Sequence, residues 1–151
     1  MAWRSIAEAD ILAKMSAPEL EGFRISAIAG GQADPITAAI AQVTDLVRGY
    51  VASNPKNELD TDTDTIPARL IPPAVDILVV DIPARAAGTQ IDPEDARSKA
   101  KAQAIRLLEQ VAAGKYSIED PVSGTEGNAS VTPSYTPTRT RRHTRETMDG
   151  I

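Results

Sequence analysis

The chain has 151 residues and carries 21 Asp and Glu against 16 Lys and Arg, a net charge of -5. That length suits one domain with a modest core and is too short for two ordinary ones. With no cysteine, a disulfide frame and a thiolate metal site are both excluded, and with 3% aromatic residues the interior must be built from Ala, Ile, Leu and Val.

Such an interior suits close-packed helices better than a sheet rich in aromatic and β-branched residues. Ser5-Ile6-Ala7-Glu8 has the pattern of a capping box, in which the Ser5 hydroxyl accepts from the Glu8 amide and the Glu8 carboxylate reaches back to the Ser5 amide. A first short helix with Ile11, Leu12 and Met15 as its apolar stripe is expected there. Ser16-Ala17-Pro18-Glu19 repeats the box, with proline tolerated because first-turn amides have no helical acceptors. The second helix is expected to turn Leu20, Phe23, Ala27 and Ile28 inward and to end at Gly30-Gly31.

Asp34-Pro35 opens a third helix as N-cap and first helical residue. Its stripe is Ile36, Ile40, Val43, Val47, Tyr50 and Val51, spaced as one helical face requires. Asn54-Pro55 closes it, and "KNELDTDTDT" follows as a polar loop. The segment "ARLIPPAVDILVVDIPARAAG" is the most apolar in the chain. A strand pair is conceivable there, but Val75, Leu78, Val79 and Ile82 sit at helical spacing and favour a helix from about Pro73 to Ala87, broken or kinked near Pro83. Asp92-Pro93-Glu94-Asp95 then starts a last helix with the stripe Ala100, Ala104, Leu107, Leu108 and Val111, stopped by Gly114.

The expected fold is therefore all-α: a small bundle of four to five helices over residues 1–121, with an extended, largely irregular C-terminal arm over 122–151. Residues 1–114 hold 11 basic and 16 acidic side chains, whereas 115–151 hold 5 of each. Within that arm Arg139, Arg141, Arg142 and Arg145 crowd around His143, the only histidine. An acidic body followed by a tail that is neutral overall but sharply basic near its end points to a partner.

The longest apolar run near the middle, Ile77 to Val80, is bounded by Asp76 and Asp81 and falls far short of the roughly 20 residues that span a bilayer. No membrane is expected. Glu8 and Asp10 stand where a signal peptide needs its apolar stretch, so secretion by that route is not expected either.

Asp60, Asp62 and Asp64 alternate as in a calcium loop. An EF-hand numbered from Asp60 would need Gly sixth and Glu twelfth, and meets Thr65 and Ile71. His143 has no cysteine to join it as a transition-metal ligand and no packed neighbours to hold it for catalysis. Gly30-Gly31 lacks the spaced glycines and lysine of a phosphate loop. No enzyme, metal or cofactor is expected. For the arm three readings stand: a solvated tail, a nucleic-acid contact in which the arginines neutralise phosphates and Tyr135 stacks on a base, and an arm that orders on a protein surface through Tyr135, Arg139, Arg141, Arg142 and Arg145.

Three stretches carry a resemblance: "AWRSIAEADILAKMSAPELEGFR", "GQADPITAAIAQVTDLVRGYV" and "IPARLIPPAVDILVVDIPAR". They resemble the small helical head-tail connector proteins, or adaptors, of tailed bacteriophages and prophages, over about residues 2–121. The similarity rests on the order of helices and on the Arg48-Gly49-Tyr50 and Ile66-Pro67 positions. It implies a virion protein of the neck, made in the host bacterial cytoplasm, whose copies form a ring, usually of twelve, under the portal protein. Its partners would be the portal, neighbouring copies, the stopper or tail-completion protein below, and passing genomic DNA without sequence-specific contact. The alternatives are a stopper or head-completion protein of the same neck, or a small helical nucleic-acid-binding protein that uses the arginine-rich arm.

Overall fold

The computed structural model describes residues 3–31, 33–87 and 94–121, with side chains left aside at 85–87. These residues form an all-α bundle: α1 (Glu8–Leu12), α2 (Ala17–Ala29), α3 (Pro35–Ala52), a 3-10 turn (Ala68–Leu70), α4 (Ile71–Ala87) and α5 (Ala96–Ala112). The segment weighed as a strand pair is helical, and an isolated bridge between Arg4 and Ile66 is the β-type pairing found among the described residues.

α4 is the centre of the bundle and packs against α1, α2, α3 and α5. Its sequence explains the position. Ile71, Ala74, Val75, Ile77, Leu78, Val79, Val80 and Ile82 are all buried, so apolar side chains leave the helix in nearly every direction. The two carboxylates that interrupt this surface are neutralised in place, Asp76 by Lys14 beyond α1 and Asp81 by Lys101 on α5. The helix runs through Pro83 to Ala87 instead of breaking there; the lost amide costs one hydrogen bond near its end.

α3 has the expected cap and stripe. The Asp34 carboxylate accepts from the Ile36 amide at 3.0 Å, and Ile36, Val43, Val47 and Val51 are buried, with Ile40 and Tyr50 packed at the edge of the core. α5 likewise buries Ala104, Leu108 and Val111, with Leu107 beside them. It starts at Ala96 with Asp95 as N-cap; Asp92 and Pro93 lie outside the described residues. Its end is a Schellman motif: the Gly114 amide donates to the Val111 carbonyl at 3.0 Å and the Lys115 amide to the Gln110 carbonyl at 2.9 Å. Gly114 has φ 71°, and a Cβ there would meet Asn54 Nδ2 at 3.3 Å, so conformation and close approach to the end of α3 both select glycine.

Several local expectations are corrected: the Ser16 side chain makes no capping hydrogen bond at the start of α2, and Leu12 is 41% exposed instead of lying in the stripe of α1. Ser5 does not cap α1, because Arg4 exchanges both backbone hydrogen bonds with Ile66 and keeps the chain extended. The helix starts later, where Asp10 accepts from the Ala7 amide at 2.9 Å. Ile28 is not inward but 60% exposed. α2 buries only a narrow strip through Leu20 and Ala27, with Phe23 at its edge, and Ile28 lies about 80° round the helix from Leu20.

Ion pairs that link separate segments sit on the rim of the core. Asp10 takes a bidentate contact from Arg4, both bonds 2.8 Å, and Glu19 on α2 takes one from Arg97 on α5 at 2.6 and 3.2 Å. Hydrogen bonds from these guanidinium groups hold both carboxyls below the usual range, against a smaller opposing effect of burial. A carboxyl whose pKa is lower in the folded state stabilises the fold above its unfolded pKa and loses that contribution as pH falls through the folded one. The thermal midpoint is therefore expected to stay level from neutrality to about pH 5 and to fall below about pH 4. Scanning calorimetry of the chain and of an Asp10→Asn, Glu19→Gln double variant checks this: the variant should start lower and show a shallower acid slope.

Candidate partner-binding surface

No group of three His, Asp or Glu side chains converges among the described residues. The alternating aspartates show why. Asp60 Oδ1 accepts from the Asp62 amide at 3.3 Å and Asp62 Oδ1 from the Asp64 amide at 3.0 Å, so each carboxylate is turned onto its own backbone. Hydrogen bonds from the Asp62 amide first, then from Thr65 and Thr61, hold the Asp60 carboxyl below its ordinary range.

The loop is not simply solvated, however. Its carbonyl oxygens face inward onto one cation. The Arg48 guanidinium donates to the carbonyls of Asp60, Asp62 and Thr65, each at 2.8 Å, using the planar fork that lysine lacks. Its Cζ also lies 5.6 Å from the centroid of the Trp3 ring, a cation–π distance. Trp3 is 6% exposed and donates through Nε1 to the Glu119 carbonyl at 2.8 Å. The Glu119 carboxylate in turn holds Arg69 Nε at 3.1 Å, just before α4. Arg48 and Trp3 thus tie the start of the chain, the acidic loop and residues 116–120 at one pole of the bundle. Tyr116 and Ile118 add apolar packing there, beyond the Gly114 stop.

Arg48→Ala is expected to release this loop. The loss should be about 1.5–3 kcal/mol, the scale of one hydrogen bond to a charged group, because the partly exposed carbonyls regain water. Urea denaturation measures the total. Amide exchange should rise at Asp62 and Asp64 and stay slow in the middle of α4; equal protection at Asp62 in both proteins would remove the role assigned to Arg48.

The shallow hollows on the surface of the described residues include three of note. Those beside Lys14 and Arg97, and beside Arg4 and Lys14, are about 260 and 280 Å³, and their charged groups are already paired. The third, about 370 Å³, lies on α3 between Asp45, Leu46, Gly49, Tyr50 and Ser53. Leu46 is 41% exposed, and Asp45 is exposed with no basic partner among the described residues. A second apolar patch is formed by Ile25 and Ile28, 59% and 60% exposed, one helical turn apart on α2. No helix among the described residues is long and apolar enough to cross a membrane.

Tyr135, Arg139, Arg141, Arg142, Arg145 and His143 lie outside the described residues. Arg48, Trp3 and Glu119 organise the pole of the bundle, and no pattern in the sequence marks them as a set. In comparisons with protein-family models, with curated proteins and with solved structures, no match to this chain was found.

Proposed function

We propose that this protein is a head-tail adaptor of a tailed bacteriophage or prophage: a structural component that binds beneath the portal, extends the DNA channel as a ring, and offers its lower face to the stopper or tail. What supports the reading is the resemblance to that family noted in the sequence over about residues 2–121, together with the all-helical body. The three stretches that carry it correspond to the segment through α1 and α2, to α3, and to the 3-10 turn with α4. An all-helical body with apolar side chains left exposed at Ile25, Ile28 and Leu46 is compatible with a protein finished by its neighbours. Its acidic balance suits a DNA channel, since like charge discourages sticking.

The role is mechanical. Residues 122–151 supply an arm whose Tyr135, Arg139, Arg141, Arg142 and Arg145 grip the portal or an adjacent copy. Because 25% of its residues are charged and its net charge is -5, copies repel at low salt, and the purified chain is expected to be monomeric or weakly associated until it meets the portal. Light scattering of the chain alone, followed by electron microscopy of the chain mixed with portal particles from the same gene neighbourhood, tests this. Monomers alone and a ring beneath the portal are expected. A stable large ring in dilute solution would refute the order of assembly; absence of portal binding, with sequence-selective DNA binding at physiological salt, would favour the nucleic-acid-binding class instead.

A further inference from the structure

Three segments outside the helices meet at one pole of the bundle: residues 3–6, the loop over 57–65, and a strap over 116–120 that follows α5. Arg4 and Ile66 exchange both backbone hydrogen bonds at 3.0 Å, which fixes the exit of the loop against the start of the chain. Trp3 Nε1 donates to the Glu119 carbonyl at 2.8 Å and so joins the start of the chain to the strap. The Glu119 carboxylate also holds Arg69 Nε at 3.1 Å, a second anchor for the strap. On α3 the Arg48 guanidinium gathers the carbonyls of Asp60, Asp62 and Thr65, each at 2.8 Å, with its Cζ 5.6 Å from the centroid of the Trp3 ring.

Trp3 is therefore shared. One edge of its indole holds the strap, and its face carries the cation that holds the loop. At 6% exposure the ring is out of water, so its N–H depends on the Glu119 carbonyl for as long as the ring stays in place. When the strap leaves, that N–H loses its acceptor, and a ring that turns outward to reach water takes the π face away from Arg48. The guanidinium is then supported from one side only. The bonds inside the loop are local: the Asp62 amide donates to Asp60 Oδ1, the Asp64 amide to Asp62 Oδ1 and the Thr65 hydroxyl to Asp60 Oδ2. Glu58, Leu59, Thr61, Asp62, Thr63 and Asp64 are exposed, so opening the loop uncovers little apolar surface and costs less than opening a core helix.

We propose that Trp3 couples the strap to the loop, so that residues 116–120 and 57–65 form one latch that opens and closes as a unit over an intact helical body. The coupling is reciprocal: whatever draws the strap off the body loosens the loop, and whatever holds the loop closed holds the strap. The latch belongs to the folded body alone and stands apart from the head-tail reading.

Ile118→Ala, in the full-length chain, weakens the apolar packing that holds the strap. Amide exchange at Asp62 and Asp64 should then rise about 5- to 30-fold, the scale of a largely desolvated cation–π contact, while Leu78 in the middle of α4 keeps its protection. Trp3→Phe keeps a ring beneath Arg48 but cannot donate to Glu119. In that background Ile118→Ala should change exchange at Asp62 and Asp64 by less than about twofold. Because Trp3 is the only tryptophan, its fluorescence reports on the latch in the unaltered chain. In urea the emission should move to the red at a lower midpoint than the loss of helical circular dichroism. Unchanged exchange at Asp62 in Ile118→Ala, or coincident fluorescence and dichroism transitions, would overturn the proposal. So would a rise that persists in full in the Trp3→Phe background, which would route the coupling through Arg69 instead.

Discussion

Leu78→Ala is expected to destabilise the protein by about 3–5 kcal/mol, enough to leave a marginal bundle of this size partly unfolded at 37 °C. Leu78 has no exposed surface and sits in the middle of α4, the helix against which α1, α2, α3 and α5 all pack. Truncation at such a site removes transfer energy and leaves a cavity that several elements share. The surroundings relax poorly when each wall is itself held by other contacts, which places the cost toward the upper part of the range for leucine truncations. Leu78→Met, which keeps the volume, should cost less than about 1.5 kcal/mol. Urea titrations that follow far-ultraviolet circular dichroism give both values. Equal midpoints for the alanine and methionine variants would mean that α4 is not the centre of the core.

That central position was only partly legible in the sequence. The density of Ile, Leu and Val announced burial on more than one side, but the same residues left a strand pair conceivable, because a short apolar run does not declare its period. Asp76 and Asp81 decide the matter only in three dimensions, where Lys14 and Lys101 reach them from other elements. α3 was readable almost residue by residue, since an Asp-Pro start and a stripe at three- and four-residue spacing are local signals. Ile28 was misread because an amphipathic strip has a width as well as a period, and the width of α2's strip is set by what α3 and α4 present to it. Ser5 was misread because a cap must compete with other uses of its backbone, here the bridge between Arg4 and Ile66. The role of Arg48 was invisible for a simpler reason: its partners are carbonyl oxygens, which every residue has.

Deleting residues 122–151 is expected to abolish or sharply weaken attachment to portal-containing heads while leaving the thermal midpoint within about a degree or two. The body carries its own closure. Gly114 ends α5, Tyr116 and Ile118 pack on the core, and Glu119 joins Trp3 and Arg69, so the bundle is tied off before Pro121. Exposed ion pairs contribute only about 0–1 kcal/mol each and are screened at physiological salt. Loss of the arm therefore subtracts little from stability. Attachment is different, because about 30 residues at roughly 3.3 Å each can span on the order of 100 Å, and a segment that orders on a partner adds affinity through effective concentration without enlarging the folded body. Binding of the truncated and full-length chains to isolated heads, together with the yield of tailed particles from each, measures the effect, and calorimetry of the same samples reports the midpoint. Truncated protein that still completes heads at normal yield would make the arm dispensable for assembly and return it to the solvated tail that composition alone allows.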